Sequence, residues 1–325
     1  MNYRRLGRSG LTVSVVGLGC NNFGARLDGK GTQAVVDAAL ESGITLFDTA
    51  DAYGDGQSEA LLAEALGPRR KDVIIATKFG ADLKGANGLE WGARGSRRYI
   101  RCAVETSLKR LRTDWIDLYQ LHWPDPSTPI EETLSALTEL VKEGKVRYIG
   151  SSNLTGWQVT DAEWTSRTRG LERFISAQVE YSLIHRSVEQ DLVPALEHHG
   201  IGLLPYFPLA SGLLTGKYKR GVPAEANTRV EEWHLNELLS DQAFDVVERL
   251  EAYARERAVS LLDVAIGGLA ARPAVASVIA GATAAEQVHL NAKAGAWVPS
   301  ADDKVALEAF LPRGRGISVN DLIYK

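Results

Sequence analysis

Cysteine occurs only twice in the 325 residues, at Cys20 and Cys102, and methionine only once. Two cysteines are too few for a disulfide framework or a cysteine-based zinc site. The six histidines are scattered and none falls in a His-Glu-x-x-His spacing, so no metal centre is expected. An excess of positive charge is missing as well: 37 Lys and Arg stand against 41 Asp and Glu, a net of −4, with no basic stripe. That balance argues against nucleic acid and against an anionic membrane as partners. No apolar run is long enough to span a bilayer or to form the core of a signal sequence, so a cytoplasmic protein is the expectation.

What is present is alternation. After a small hairpin around Gly7-Arg8-Ser9-Gly10, short apolar strands alternate with segments of helical periodicity. The strands read as 15–19, 44–48, 72–78, 115–122, 146–150, 174–180, 201–206 and 275–280. Helices are expected between them, the first over 32–42. Thr128-Pro129-Ile130-Glu131 reads as a capping box and Ser187-Val188-Glu189-Gln190 as a second cap. Residues 79–95 read as a glycine-rich loop, and 212–239 as an irregular stretch far longer than an ordinary loop of roughly 4–6 residues. Strict alternation implies parallel pairing, and eight strand–helix units imply an α/β fold, a single (β/α)8 TIM barrel spanning 1–325, with the long stretch after the seventh strand as a cover.

Several strands end in ionisable residues. The second delivers Asp48 and, five residues on, Tyr53; the third ends in Lys78 and the fourth in His122. Taken singly these have ordinary readings, Asp48 as a helix cap and Tyr53 as a loop aromatic. In a barrel, however, neighbouring strand ends share one mouth, where the set has complementary chemistry. Lys78 would pair with Asp48, its charge would lower the pKa of the Tyr53 phenol by roughly 1–3 units, and His122 would hold a substrate oxygen. Such a set suits protonation of a carbonyl oxygen while a cofactor supplies hydride. Gly17-Leu18-Gly19 is a poor dinucleotide fingerprint, since the next glycine, Gly24, lies five residues on rather than three.

Phe47-Asp48-Thr49-Ala50 with Tyr53, then Lys78, His122, Gly150-Ser151-Ser152-Asn153 and Gly212-Leu213-Leu214-Thr215-Gly216-Lys217, in this order, resembles the aldo-keto reductases. The likeness is greatest to the bacterial short-loop branch near the potassium-channel beta-subunit-like and aryl-alcohol-dehydrogenase-like groups. It implies Tyr53 as general acid, tuned by Lys78 and Asp48, with His122 orienting the carbonyl. It implies cofactor contacts at Gly19, Cys20, Asn21 and Asp48. Ser152, Asn153 and Gln178 would meet the nicotinamide carboxamide, and Tyr206 its ring. The pyrophosphate would lie on Phe207, Pro208, Leu209, Ser211, Gly212, Leu214 and Lys217, and the adenosine end on Gly281, Thr283, Gln287 and Asn291. Many members carry a basic residue near the Gly281 or Gln287 position, and this chain has none. NADP(H) is the cofactor expected from the resemblance, with NAD(H) as the alternative. The substrate expected is a small carbonyl compound contacted by Phe23, Trp91 and Trp123, with Arg313 and Arg315 of the tail as candidate anion contacts. Two rivals remain open: a cofactor-holding redox sensor with little turnover, and a Schiff-base aldolase using Lys78.

Overall fold

A computed structural model describes residues 1–325 apart from 86–91, 312, 313, 315, 317, 324 and 325. Trp91, Arg313 and Arg315 therefore lie outside the described residues. The first two strands, β1 (Tyr3–Arg5) and β2 (Thr12–Ser14), form an antiparallel hairpin. Eight parallel strands follow: β3 (Val16–Gly19), β4 (Leu46–Asp48), β5 (Ile74–Phe79), β6 (Ile116–Leu121), β7 (Val146–Ser152), β8 (Phe174–Glu180), β9 (Gly202–Tyr206) and β10 (Val278–Gly281). From β3 to β9 each pairs with the next, and β10 pairs with β3. The ring is completed at Leu203, whose N–H donates to Ala274 O at 2.7 Å and whose carbonyl accepts from Ala276 N at 2.9 Å. This nearly closed ring, with helices between its strands, is the (β/α)8 barrel that the alternation implied.

The helices are α1 (Gly29–Glu41), α2 (Gln57–Leu66), α3 (Arg97–Leu111), α4 (Ile130–Lys142), α5 (Gly156–Arg169), α6 (Leu192–His199), α7 (Arg229–Glu232), α8 (Asp241–Glu256), α9 (Leu261–Ala270), α10 (Ala285–Ala294), α11 (Ala301–Phe310) and α12 (Val319–Ile323). None in the described residues is long and apolar enough to cross a membrane.

Side-chain alternation along each strand decides what faces inward. Leu46, Ala76, Leu118, Ile175, Leu204 and Ile279 join Leu6 and Val13 of the hairpin in a small apolar cluster inside the barrel. Phe47, Ile75, Tyr119 and Leu203, one residue out of phase, belong to the larger core shared with the helices. Two residues beyond Leu46, Ala76 and Leu118 stand Asp48, Lys78 and Gln120, with Lys78 and Gln120 in register across β5 and β6. A polar layer thus sits directly above an apolar one, at the strands' C-terminal ends.

Some local expectations are corrected. Helix α1 begins at Gly29 rather than Thr32, because Asp28 Oδ1 accepts from Gly31 N at 2.8 Å and so caps a glycine-containing first turn. The capping box at Thr128 does not form: Pro129 is the N-cap, and the Thr128 hydroxyl donates to Asp125 Oδ2 at 2.7 Å. Residues 187–189 make a 3-10 turn, while α6 starts after Asp191, whose carboxylate instead accepts from Gly156 N at 2.7 Å. The stretch 212–239 is irregular as expected over 216–228, and adds only a 3-10 turn at each end and the short α7.

Candidate active site

Asp48 is the hub. Its Oδ2 accepts from Lys78 Nζ at 2.7 Å, and its Oδ1 accepts from Gln178 Nε2 at 2.8 Å and Gln120 Nε2 at 3.4 Å. Lys78 Nζ also donates to Thr49 O at 2.9 Å and to the Tyr53 hydroxyl at 3.2 Å. The side chains of Lys78 and Asp48 are only 1 % and 4 % exposed. Burial opposes the charge on Lys78, but the charges of Asp48 and then Tyr53 outweigh it, leaving its pKa above the ordinary 10.5. The ammonium is therefore permanent near neutral pH, with its donors spent on Asp48, Thr49 and Tyr53.

His122 stands across from Tyr53, ring centroids 6.0 Å apart and edge to face, and stacks on Trp123 at 5.9 Å. Burial, reinforced by the charge of Lys78, pushes its pKa well below the ordinary 6.5. A neutral imidazole can donate one hydrogen bond but has no surplus proton to give. Of the two groups facing the cavity here, Tyr53 is thus the better proton source.

These residues form one end of a cavity of about 1290 Å³. Ser152, Asn153, Gln178 and Tyr206 line its middle. Their polar groups also hold one another: Asn153 Nδ2 donates to His122 O at 2.9 Å, and the Tyr206 hydroxyl donates to Asn153 Oδ1 at 2.8 Å. The cavity continues past Phe207, Pro208, Leu209, Ser211, Gly212 and Lys217 to Gly281, Thr283, Gln287 and Asn291, with Gly19 and Asn21 on its wall.

Three of the expected contacts fall outside that wall. Cys20 and Phe23 are fully buried, and the Phe23 carbonyl packs beneath Gly54, where a Cβ would lie 2.9 Å from it. Leu214 is likewise fully buried in the core. Each stands next to at least one cavity-lining residue, Gly19 and Asn21 for Cys20, Asn22 for Phe23 and Thr215 for Leu214, a distinction the resemblance alone did not resolve. Lys78 lies below the wall, behind Asp48 and Tyr53.

The trough suits an extended, anionic nucleotide cofactor. Ala210, Ser211 and Gly212 adopt φ of 44°, 55° and 96°. A Cβ on Gly212 would fall 2.5 Å from Lys217 Cε and 2.7 Å from Nζ, so the glycine lets the ammonium lie against the turn. Ser211 Oγ is buried with no hydrogen-bond partner among the described residues, a polar atom placed where an anion would satisfy it.

The sequence reading missed several contributors. Gln120 could have been found from its alternation with Leu118. Asn22, Arg26 and Arg229 had no such signal, since they lie in irregular segments brought together only by the fold. Arg229 Nη2 donates to Asn22 Oδ1 at 2.9 Å, and its guanidinium lies 4.8 Å from the Trp233 ring centroid and 5.7 Å from that of Phe207. Asn22 Nδ2 in turn donates to Ala282 O at 3.0 Å, beside Gly281. Arg26 pairs with Glu232 at 3.2 Å. The stretch after β9 is thereby tied across the cavity to the loop after β3.

The family model described as "Aldo/keto reductase family" matches residues 15–311. A probable voltage-gated potassium channel subunit beta of Oryza sativa subsp. japonica is 37% identical over 313 residues, 92% of each chain. An uncharacterized oxidoreductase, YrpG, of Bacillus subtilis (strain 168) is 36% identical, covering 90% of this chain and 91% of its own. L-glyceraldehyde 3-phosphate reductase of Escherichia coli (strain K12) is 33% identical, covering 90% and 87%. The barrel, the trough and these matches agree: the chain belongs to the aldo/keto reductase family, oxidoreductases of carbonyl and alcohol groups that generally use a nicotinamide cofactor.

Proposed function

We propose that this protein reduces an aldehyde or ketone to the alcohol with NADPH, Tyr53 donating the proton to the carbonyl oxygen. The observation that carries the reading is the contact of Lys78 Nζ with both Asp48 and Tyr53, at 2.7 and 3.2 Å. A fixed cation beside a phenol stabilises the phenolate left after proton donation, and Asp48 keeps that cation in place. Neutral His122 holds the carbonyl oxygen against Tyr53, and Trp123 and the far wall at Leu322 and Ile323 shield the site. When bound, the nicotinamide supplies the hydride. A Schiff-base role for Lys78 is disfavoured, since a nucleophilic amine must lose the proton that Asp48 and Tyr53 retain on it.

Arg229 supports NADPH over NADH. The position of Gly281 lies 3.6 Å, as a Cβ, from Asn22 Nδ2, and Arg229 is bonded to the same side chain. The guanidinium missing near 281–287 is thus offered from the cover. Burial and the repulsion of Arg26, only partly offset by Glu232, lower its pKa to about 10, so it stays charged near neutral pH. Charge-assisted bonds of about 1.5–3 kcal/mol imply that Arg229→Gln weakens NADPH roughly tenfold to a hundredfold while affecting NADH less.

The test is a fluorescence titration with each cofactor, followed by a screen of carbonyl substrates for the wild type and Tyr53→Phe. The expected outcome is tighter binding of NADPH, turnover by the wild type, and a loss of roughly 10²–10⁴ in kcat for Tyr53→Phe with unchanged cofactor affinity. Absence of cofactor binding would overturn the reading. Tight binding with negligible turnover across carbonyls would favour the sensing role, in keeping with the channel-subunit name of the rice relative.

A further inference from the structure

Behind Tyr53 lies a layer of charge that the proposed reaction does not consume. Tyr53 begins a turn, Tyr53–Gly56, in which Gly54, Asp55 and Gly56 have φ of 56°, 53° and 86°. Glycine takes such φ freely and aspartate more readily than most residues, so the sequence permits the turn, but what packs on it sets where it sits. Two neighbouring helices hold it. Arg110 reaches over from α3 and lies so close to Gly56 that a Cβ there would fall 2.2 Å from its Cζ. Its Nη1 donates to Asp51 O at 3.3 Å and meets Glu59 Oε2 at 3.4 Å. Glu59, on α2, is fully buried, and its other oxygen accepts from Thr77 Oγ1 at 2.7 Å. Thr77 precedes Lys78, and Asp51 N donates to the Lys78 carbonyl at 3.2 Å.

Arg110 thus holds the backbone at Asp51 and Gly56, and Glu59 the Thr77 side chain just before Lys78, one on each side of the Lys78–Tyr53 contact, yet neither lines the described cavity. A clamp made only for stability would be cheaper in apolar residues, since burying charge is costly. The same region also holds Asp51 and the Tyr119 phenol. Burial, followed by the charge of Glu59, raises the Asp51 pKa, and burial likewise raises those of Glu59 and Tyr119. The charge of Arg110 favours both carboxylates, joined at Asp51 by the smaller effect of Lys78. We propose that Arg110 is a positioning residue: by bracing Gly56 and Asp51 against Glu59 it fixes the Tyr53 hydroxyl within reach of Lys78 Nζ. This rests on the reductase reading, in which that contact tunes the proton donor.

Arg110→Met and Arg110→Lys test it, with kcat, KM, NADPH affinity and the pH profile of kcat as readouts. Misplacing a reacting group by about 1 Å can cost roughly a hundredfold, so kcat of Arg110→Met is expected to fall about tenfold to a hundredfold. KM and cofactor affinity stay near wild type, the alkaline limb of the profile moves upward, and lysine restores part of the loss. A purely structural residue would lower the melting temperature without moving that limb. Should Arg110→Met not fold, Thr77→Val releases Glu59 from the strand while keeping size, and the same limb is expected to move. A folded variant with wild-type kcat and an unmoved limb would overturn the proposal, as would a loss confined to cofactor binding. If the wild type reduces no carbonyl, the reductase reading fails by itself. Ultraviolet titration of Tyr53, taken as wild type minus Tyr53→Phe, then still reports on Arg110: the midpoint shifts toward about 10 in Arg110→Met if it positions the phenol, and stays put if it does not.

Discussion

Among the described residues Asp48 and Lys78 are each other's only full counter-charge within hydrogen-bonding distance in the polar layer, so removing one strands the other. Breaking a buried pair costs about 3–5 kcal/mol, whereas removing both partners is far milder. Lys78→Met is therefore expected to lose both activity and several degrees of melting temperature. Adding Asp48→Asn should recover most of the stability and none of the turnover, which thermal melts and steady-state rates would separate. The chain itself made these two residues legible, because each is a polar residue closing an apolar strand. Gln120 was less visible, being a single polar residue inside Ile116–Leu121. Arg229 and Asn22 were invisible, since their hydrogen bond joins residues 207 positions apart in segments without periodicity.

Among the elements, strands were read more surely than caps. Burial keeps the strands apolar, whereas the Thr128 and Ser187 hydroxyls each take another local partner, Asp125 Oδ2 at 2.7 Å and His185 Nε2 at 2.9 Å. The tail gives the clearest case of an element that local pattern does not predict. Helix α12 is five residues long and is held by Glu180 of β8, whose carboxylate accepts from Ser318 Oγ at 2.7 Å, Val319 N at 2.6 Å and Asn320 N at 2.9 Å. Asn320 Nδ2 then donates to the Tyr206 hydroxyl, and Leu322 and Ile323 line the cavity. A lost cap costs about 0.5–2 kcal/mol, so Glu180→Gln is expected to raise KM roughly twofold to thirtyfold by loosening this wall. Cofactor affinity should change little, because Lys217, Arg229 and Gln287 lie elsewhere. Steady-state kinetics beside a cofactor titration would check both.

Across the whole molecule, the hairpin and the proposed site occupy opposite ends of the barrel. Leu6 and Val13 of the hairpin join the interior apolar cluster, while the polar layer faces the other mouth. Leu6→Ala should cost about 2–5 kcal/mol and lower the melting temperature, with kcat at saturating substrate unchanged. Equal loss of both would mean that the two ends are coupled. The barrel was legible in the sequence because eight repeated units leave few alternatives. That the ring closes was legible too, but not how, for among the described residues the join depends on Leu203 meeting the chain at Val275.

That join makes the barrel a rolled sheet fastened by one stitch rather than a sealed cylinder. Tyr206 ends the strand on one side of the stitch and Gly281 ends the strand on the other, and both line the same trough. A dinucleotide lying along it would bridge the two free margins like a rivet. A ligand at about a hundred times its Kd contributes about 2.7 kcal/mol to the folded state, and here that energy would fall on the weakest joint of the ring. Exchange of the amide protons of Leu203 and Ala276 should therefore slow first and furthest as cofactor is added, and cofactor departure becomes the moment at which the sheet begins to unroll.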